Sequence, residues 1–289
     1  MKPVAFDYVR PDTVEEATAL LARHGSDAVL MAGGMSLGPM LNMRLVRPAL
    51  VIDIGRIGGL DGVTPQGTGF ATGAVLRQSA ALGHRALGEA VPLLHLALPW
   101  VGHVQTRNRG TLGGSVSHAD PSSEIPLTLV TLGGTVHLRS RRGKRAVAAR
   151  DFFLGMLTTA RAPEEMVVAL DWPGRRPGDC FGFQEIAQRH GDFALAAASC
   201  RMRLDGGRVV TLDIGLGGVE DRPLVIEPDG VAGEPAGPDL FAAIAADVAA
   251  RLDPLDDHAA PAAHRRALAR VLIGRVLEQA LAQSEGSPT

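Results

Sequence analysis

Cysteine is nearly absent: Cys180 and Cys200 stand twenty positions apart in 289 residues, with no third or fourth partner. Structural zinc takes about four clustered ligands and an iron-sulfur cluster about four thiolates, so no metal is expected on this chain. An excess of basic charge is also missing. With 29 Lys and Arg against 31 Asp and Glu, the formal net charge of −2 lacks the footprint that nucleic-acid binding requires. No window approaches ~18 consecutive apolar residues, and the amino-terminal MKPVAFDYVR lacks the apolar core of a signal peptide. The expectation is a cytoplasmic chain with no membrane span.

Glycine is abundant, at 35 of 289 residues, and much of it is paired, as in Gly33-Gly34, Gly58-Gly59, Gly113-Gly114, Gly133-Gly134, Gly206-Gly207 and Gly217-Gly218. Such pairs let the backbone reach positive φ or approach another group closely. The chain is long enough for two or three compact units with real cores.

An opening strand is expected, followed by a helix that begins at the capping box Thr13-Val14-Glu15-Glu16 and carries Ala17, Leu20 and Leu21 at helical spacing. A strand from Asp27 to Met31, the turn AGGMSLGP, a short helix near Ser36 to Met43 and the apolar run Leu50 to Gly55 come next. Gly69 to Val75 reads as a strand, and Arg77 to Leu98 as helix broken near Gly83 and Pro92. Beyond a second glycine segment, Arg107 to Ser115, the pattern predicts a helix over Leu127 to Leu132 and strands over Thr135 to Leu138 and Glu165 to Trp172. Pro173 to Asp179 has linker composition and marks a boundary. Three strands follow, Phe181 to Gln188, Phe193 to Leu204 and Val209 to Leu216, with Asp205-Gly206-Gly207 as a hairpin turn between the last two. Helices near Leu240 to Leu252 and His264 to Gln283 close the chain. The fold class is α+β, with a smaller α+β unit at the carboxyl end.

Each glycine segment admits two readings, a plain tight turn or a phosphate cradle. The first is not a P-loop, because no Lys-Ser/Thr follows Gly38, and Met35 occupies the middle glycine's place of G-x-G-x-x-G. Successive backbone N–H groups ahead of a helix can nevertheless bind a pyrophosphate without basic side chains, with Ser36 adding a hydroxyl. Thr111 to Ser115 repeats this equipment, and two such loops could grip a long dinucleotide.

AGGMSLGPMLNMRL, followed about seventy residues later by RNRGTLGGSVSHADPSSEIPLTLVTLGG, resembles the FAD-binding medium subunits of the molybdenum hydroxylases, a family that includes carbon monoxide dehydrogenase, xanthine dehydrogenase and nicotine dehydrogenase. The likeness continues through Asp151-Phe152-Phe153, Pro163 to Val168 and Arg189 to Ala194, nearly the whole chain. It implies a two-part FAD-binding domain of the vanillyl-alcohol-oxidase/PCMH-like type over residues 1–175, with subdomains of about 1–57 and 58–175. A small α+β domain with a three-stranded antiparallel sheet would follow over 176–289.

The resemblance also implies site residues. Ala32, Gly33, Gly34, Met35, Ser36 and Leu37, with Thr111, Gly113, Gly114 and Ser115, would wrap the pyrophosphate and ribityl chain of a non-covalent FAD. Glu124 would hold flavin hydroxyls where Asp is more usual, and Ser115 replaces the family's Asn. Val101, His118, Val167 and Glu185 fall where other members line the flavin. Phe193 is either a flavin-facing aromatic or a core strand residue. His103, His118 and His190 read better as hydrogen-bonded loop residues than as acid/base groups, because a flavin needs positioning and electrostatic tuning more than a protein base. The expected partners are a large subunit with the molybdenum cofactor and a small one with two [2Fe-2S] clusters, as a dimer of heterotrimers that passes electrons to an external acceptor. A stand-alone nucleotide-binding module and an independent flavin oxidase are the competing readings.

Overall fold

The computed structural model describes residues 2–285. The chain opens with β1 (Asp7–Val9), α1 (Val14–His24), β2 (Ala28–Met31), α2 (Leu37–Asn42) and β3 (Leu50–Asp53). The expected capping signal starts α1: the Thr13 side chain accepts from the Glu16 N–H at 3.1 Å, while the Glu16 carboxylate accepts from the Asp12 N–H at 2.9 Å. Ala17 and Leu21 then bury one face of the helix. The three strands pair in parallel in the order β1-β3-β2, over a core of Ala17, Leu21, Leu50, Ile52 and Ile54 that Val75 and Met166 complete.

The next part contains β4 (Val63–Gln66), β5 (Gly69–Gly73), α3 (Gln78–Gly83), α4 (Arg85–Ala90), α5 (Pro92–Ala97), α6 (Val104–Arg107), α7 (Leu112–His118) and α8 (Glu124–Thr131). It continues with β6 (Thr135–Ser140), β7 (Gly143–Ala148), α9 (Ala149–Phe152), the short hairpin β8 (Phe153–Gly155) and β9 (Thr158–Thr159), and β10 (Met166–Trp172). The helical run breaks at Gly83 and ahead of Pro92, as expected. The sheet is antiparallel, in the order β4-β5-β10-β6-β7. At its centre the Trp172 indole N–H donates to Thr72 Oγ1 at 2.9 Å inside the core.

Two strands of this sheet have no counterpart in the sequence pattern, and both are edges. β4 contains Pro65 and is largely exposed, while β7, Gly-Lys-Arg-Ala-Val-Ala, is exposed along most of its length. An edge strand needs no buried face, so no alternation marks it.

The last part comprises β11 (Asp179–Ile186), β12 (Ala196–Asp205), β13 (Arg208–Gly217), β14 (Leu224–Ile226), α10 (Pro238–Arg251) and α11 (Ala262–Glu285). Its antiparallel sheet has four strands in the order β11-β12-β13-β14, not the expected three. The addition, β14, is a three-residue edge strand, too short to show a period. The hairpin at Gly206-Gly207 forms with both residues at positive φ.

This sheet is covered on both faces, which is why its strands read as nearly continuous apolar runs. Phe181 and Phe183 enter the core shared with α5 and α8, while Cys180, Cys200, Met202 and Ile214 enter the core beneath α10 and α11. No helix of the described residues is long and apolar enough to cross a membrane.

Gly182 and Gly274 test how tightly α11 sits on the sheet. A Cβ on Gly182 would overlap the Val276 carbonyl of α11, whereas one on the helical Gly274 would meet nothing within 4 Å. Gly182→Ala is expected to cost about 1–3 kcal/mol by overpacking. Gly274→Ala should add about 0.5–1 kcal/mol through backbone entropy, both read by urea unfolding.

Candidate functional site

A cavity of about 750 Å³ runs between the ends of β2 and α2, the start of α7, the start of α8 and the loop ahead of β12. At one end two glycine loops abut. Gly33 lies so close to the second loop that a Cβ would overlap the Arg109 carbonyl, and a Cβ on Gly114 would come within 3.9 Å of the Ala32 side chain.

The loops are not equivalent. In the first, Gly34 takes φ +71 and the chain turns into α2 at Leu37. Among the described residues, the N–H groups of Gly33, Gly34, Met35, Ser36 and Leu37 donate to no acceptor in the chain. Five successive free donors make an anion-binding concavity. In the second, Gly113 N–H donates to the Ala74 carbonyl at 3.0 Å, Gly114 N–H to Thr111 Oγ1 at 3.0 Å and Ser115 N–H to the Thr111 carbonyl at 3.1 Å. That loop has spent its amides on its own cap and on Ala74 just beyond β5, and the hydroxyl-bearing residues Thr111, Ser115 and Ser117 line the cavity. Gly113 is required by packing, because a Cβ would lie 2.6 Å from the Ala74 Cα.

The cavity is lined by Ala32, Gly33, Gly34, Met35, Ser36, Leu37, Val101, Thr111, Gly113, Gly114, Ser115, His118, Glu124, Val167 and Phe193. The expected residue missing from the wall is Glu185, which lies behind it on β11. Phe193 is 68 % exposed and precedes β12, so it is no core strand residue. Gln78 and Arg161 also line the cavity, without any loop motif to announce them. Gln78 is buried, with its Oε1 unpartnered.

Glu124 begins α8 and is 9 % exposed. Burial pushes its carboxyl up to about 7, its own N–H pulls it down, Asp120 adds to the rise and Arg107 opposes it. Glu185, 7 % exposed with Oε2 unpartnered, is pushed up to about 8, first by burial and then by the charge of Glu124. Glu185 therefore lies in the field of Glu124. Their joint ionisation is disfavoured.

The histidines are held by packing. Burial lowers the pKa of His118 against the pull of Asp120. The His103 ring lies within 2.7 Å of where a Gly191 Cβ would be, and the His190 ring meets Trp100 edge-on at 5.7 Å. Both free cysteines are buried in the core under α11, away from the cavity.

A family model described as the FAD binding domain in molybdopterin dehydrogenase matches residues 4–174, and the CO dehydrogenase flavoprotein C-terminal domain matches 181–280. The chain is 34 % identical over 285 residues to subunit alpha of the 6-hydroxypseudooxynicotine dehydrogenase complex of Paenarthrobacter nicotinovorans, covering 97 % of this chain and 96 % of the relative. It is 34 % identical to the carbon monoxide dehydrogenase medium chain of Afipia carboxidovorans, covering 99 % and 100 %. Among solved structures, carbon monoxide dehydrogenase from Hydrogenophaga pseudoflava, in a form lacking the Mo-pyranopterin moiety, superposes with a TM-score of 0.94 at 32 % identity, over 98 % of this chain and 99 % of that one. Quinoline 2-oxidoreductase from Pseudomonas putida 86 gives 0.93 at 33 %, over 98 % and 99 %.

The Glu124 and Glu185 pair sets the sign of a pH effect on the free chain. An acid that holds its proton more tightly when folded stabilises the fold fully below the ordinary value of 4.5, and that stabilisation is lost as pH rises through about 7 and 8. The melting temperature of the flavin-free chain should fall from about pH 5 to about pH 8, by differential scanning calorimetry, and Glu185→Gln should remove the share of that slope due to Glu185 while leaving the share of Glu124, whose rise comes from its own burial. A melting temperature that climbs over this range contradicts the pair.

Proposed function

The chain belongs to the family of FAD-binding medium subunits of the molybdenum hydroxylases, and from that premise we propose that it carries electrons between iron-sulfur clusters of a partner subunit and an external acceptor. The observation that carries this reading is the run of five unpaired amide donors, Gly33 to Leu37, opening onto a cavity of about 750 Å³. The residues present fit FAD. A pyrophosphate needs donors without a bulky side chain, and the first loop offers them ahead of α2. The hydroxyls of Thr111, Ser115 and Ser117 and the carboxyl of Glu124 suit the ribityl hydroxyls, and Val101, Val167 and Phe193 suit the flat apolar ring.

FAD supplies a carrier that accepts electrons singly or in pairs, chemistry that no amino-acid side chain in the cavity offers. The protein's part is to orient it, to exclude water behind the apolar wall and to hold charge at chosen points. Attachment is non-covalent: Met35 offers no nucleophile, and Cys180 and Cys200 are buried elsewhere. The partners are a large subunit with the molybdenum cofactor, where the organic substrate reacts, and a small subunit with two [2Fe-2S] clusters, assembled in the cytoplasm as a dimer of heterotrimers. Within the chain, residues 1–175 form the FAD-binding domain, divided near residue 57, and 176–289 the carboxyl-terminal domain.

The purified chain should bind FAD, absorb near ~450 nm and release the chromophore on acid precipitation, leaving a colourless pellet. A chain that takes up no FAD favours the nucleotide-module reading. Glu124→Ala should lose about 0.5–1.5 kcal/mol of FAD affinity, the range for a hydrogen bond to a neutral carboxyl, roughly 2- to 13-fold in Kd. A helix-start carboxylate acting on stability alone would leave affinity unchanged. Free of molybdenum and iron, the chain should not oxidise an aromatic or aldehyde substrate; steady turnover by it alone would support the independent oxidase instead.

A further inference from the structure

Arg161 stands in the cavity wall, in the turn that leads into β10. Its Nη1 donates to the backbone carbonyls of Glu165 at 2.7 Å, Ala162 at 3.1 Å and Pro163 at 3.5 Å. Among the described residues, its Nε and Nη2 donate no hydrogen bond, and no carboxylate pairs with it. Glu165 is occupied: the Arg145 fork donates to both of its oxygens at 2.6 Å, and the Ala162 N–H donates to Oε2 at 2.8 Å. Burial lowers the pKa of Arg161, opposed by the charge of Glu165, yet a guanidinium remains charged in a protein. Arg161 is half-buried, and a cation held there only by carbonyl dipoles leaves its Nε and Nη2 free to meet electron density brought by the occupant of the cavity.

Its place along the cavity says which part of a dinucleotide that is. The Val168 carbonyl accepts from Ala74 N–H, and the Ala74 carbonyl accepts from Gly113 N–H, each at 3.0 Å, so Val168 stands beside the second glycine loop, whose amides are spent. Arg161 is tethered three residues earlier at Glu165, about 10 Å along an extended chain. The pyrophosphate donors cluster where the loops abut. Two residues beyond that tether, Val167 belongs to the apolar part of the cavity wall.

We propose that Arg161 faces the electron-rich edge of the bound flavin ring and holds its reduction potential up. The inference rests on the FAD reading above. The ring gains electron density on reduction, and a fixed cation in a site shielded from water stabilises the reduced form more than the oxidised one. Arg161 is thus a tuning residue, with Glu165 and Arg145 fixing its position.

The test is the flavin midpoint potential of the FAD-loaded full chain, with Kd for oxidised FAD measured alongside. Arg161→Gln and Arg161→Met should favour the reduced flavin about tenfold less, which for a two-electron couple is a fall of about 30 mV. Arg161→Lys should keep most of the wild-type potential. The Met variant, whose unbranched side chain suits the wall, carries the test should the Gln variant misfold. FAD-loaded Gln and Met variants with wild-type potentials overturn the inference alone, as does an equal loss of affinity for both redox states, which would mark Arg161 as a plain anchor. A wild-type chain that binds no FAD overturns the reading beneath it as well.

Discussion

The close approach of one glycine loop to the other is the contact on which the site depends. Because Gly33 presents no side chain to the Arg109 carbonyl, the end of β2 reaches the segment that starts α7, although nearly eighty residues separate them. That approach leaves the amides after Gly33 facing a cavity rather than a strand partner. Gly113 does the same one layer deeper, seating the second loop on Ala74 at the end of β5. In both loops backbone lies directly against backbone. A ligand arriving there meets donors already in place, and little ordering entropy remains to be lost on binding.

Charge in the cavity is sparse and placed against the cost of burial. Glu124 and Glu185 lie where desolvation and mutual repulsion both favour the neutral acid, whereas Arg161 is denied its natural partner because Arg145 has taken Glu165. Each is an unfavourable choice for stability alone. Buried polar atoms left without partners, such as Glu185 Oε2 and Gln78 Oε1, add to the same account. Strain of this kind is characteristic of a site that is completed by something other than its own chain.

The carboxyl-terminal sheet links that site to the rest of the molecule. Its strand β11 sends Phe181, Phe183 and Glu185 toward α5 and α8 and sends Cys180 toward α11, so one strand belongs to two cores. Glu185 is for that reason a neighbour of Glu124 rather than a lining residue. Any change in how the sheet sits on α8 alters the field that Glu185 feels from Glu124.

What the sequence determined by itself was whatever a local rule can encode. The capping box placed α1, alternating and continuous apolar runs placed the inner strands, and the long ordered motifs of both glycine segments identified the family. Its silence fell on β4, β7 and β14, which are edges that bury too little to impose a pattern, and on the hairpin β8 and β9, too short to show a period. The loops looked alike in sequence, yet only the first keeps its amides free, because whether an N–H is spent depends on which carbonyl a distant strand brings to it. Gln78 and Arg161 carry no motif at all. They became part of the site when β5 and β10 were paired beside each other, since proximity across a sheet is set by tertiary packing and leaves no trace in the spacing of residues along the chain.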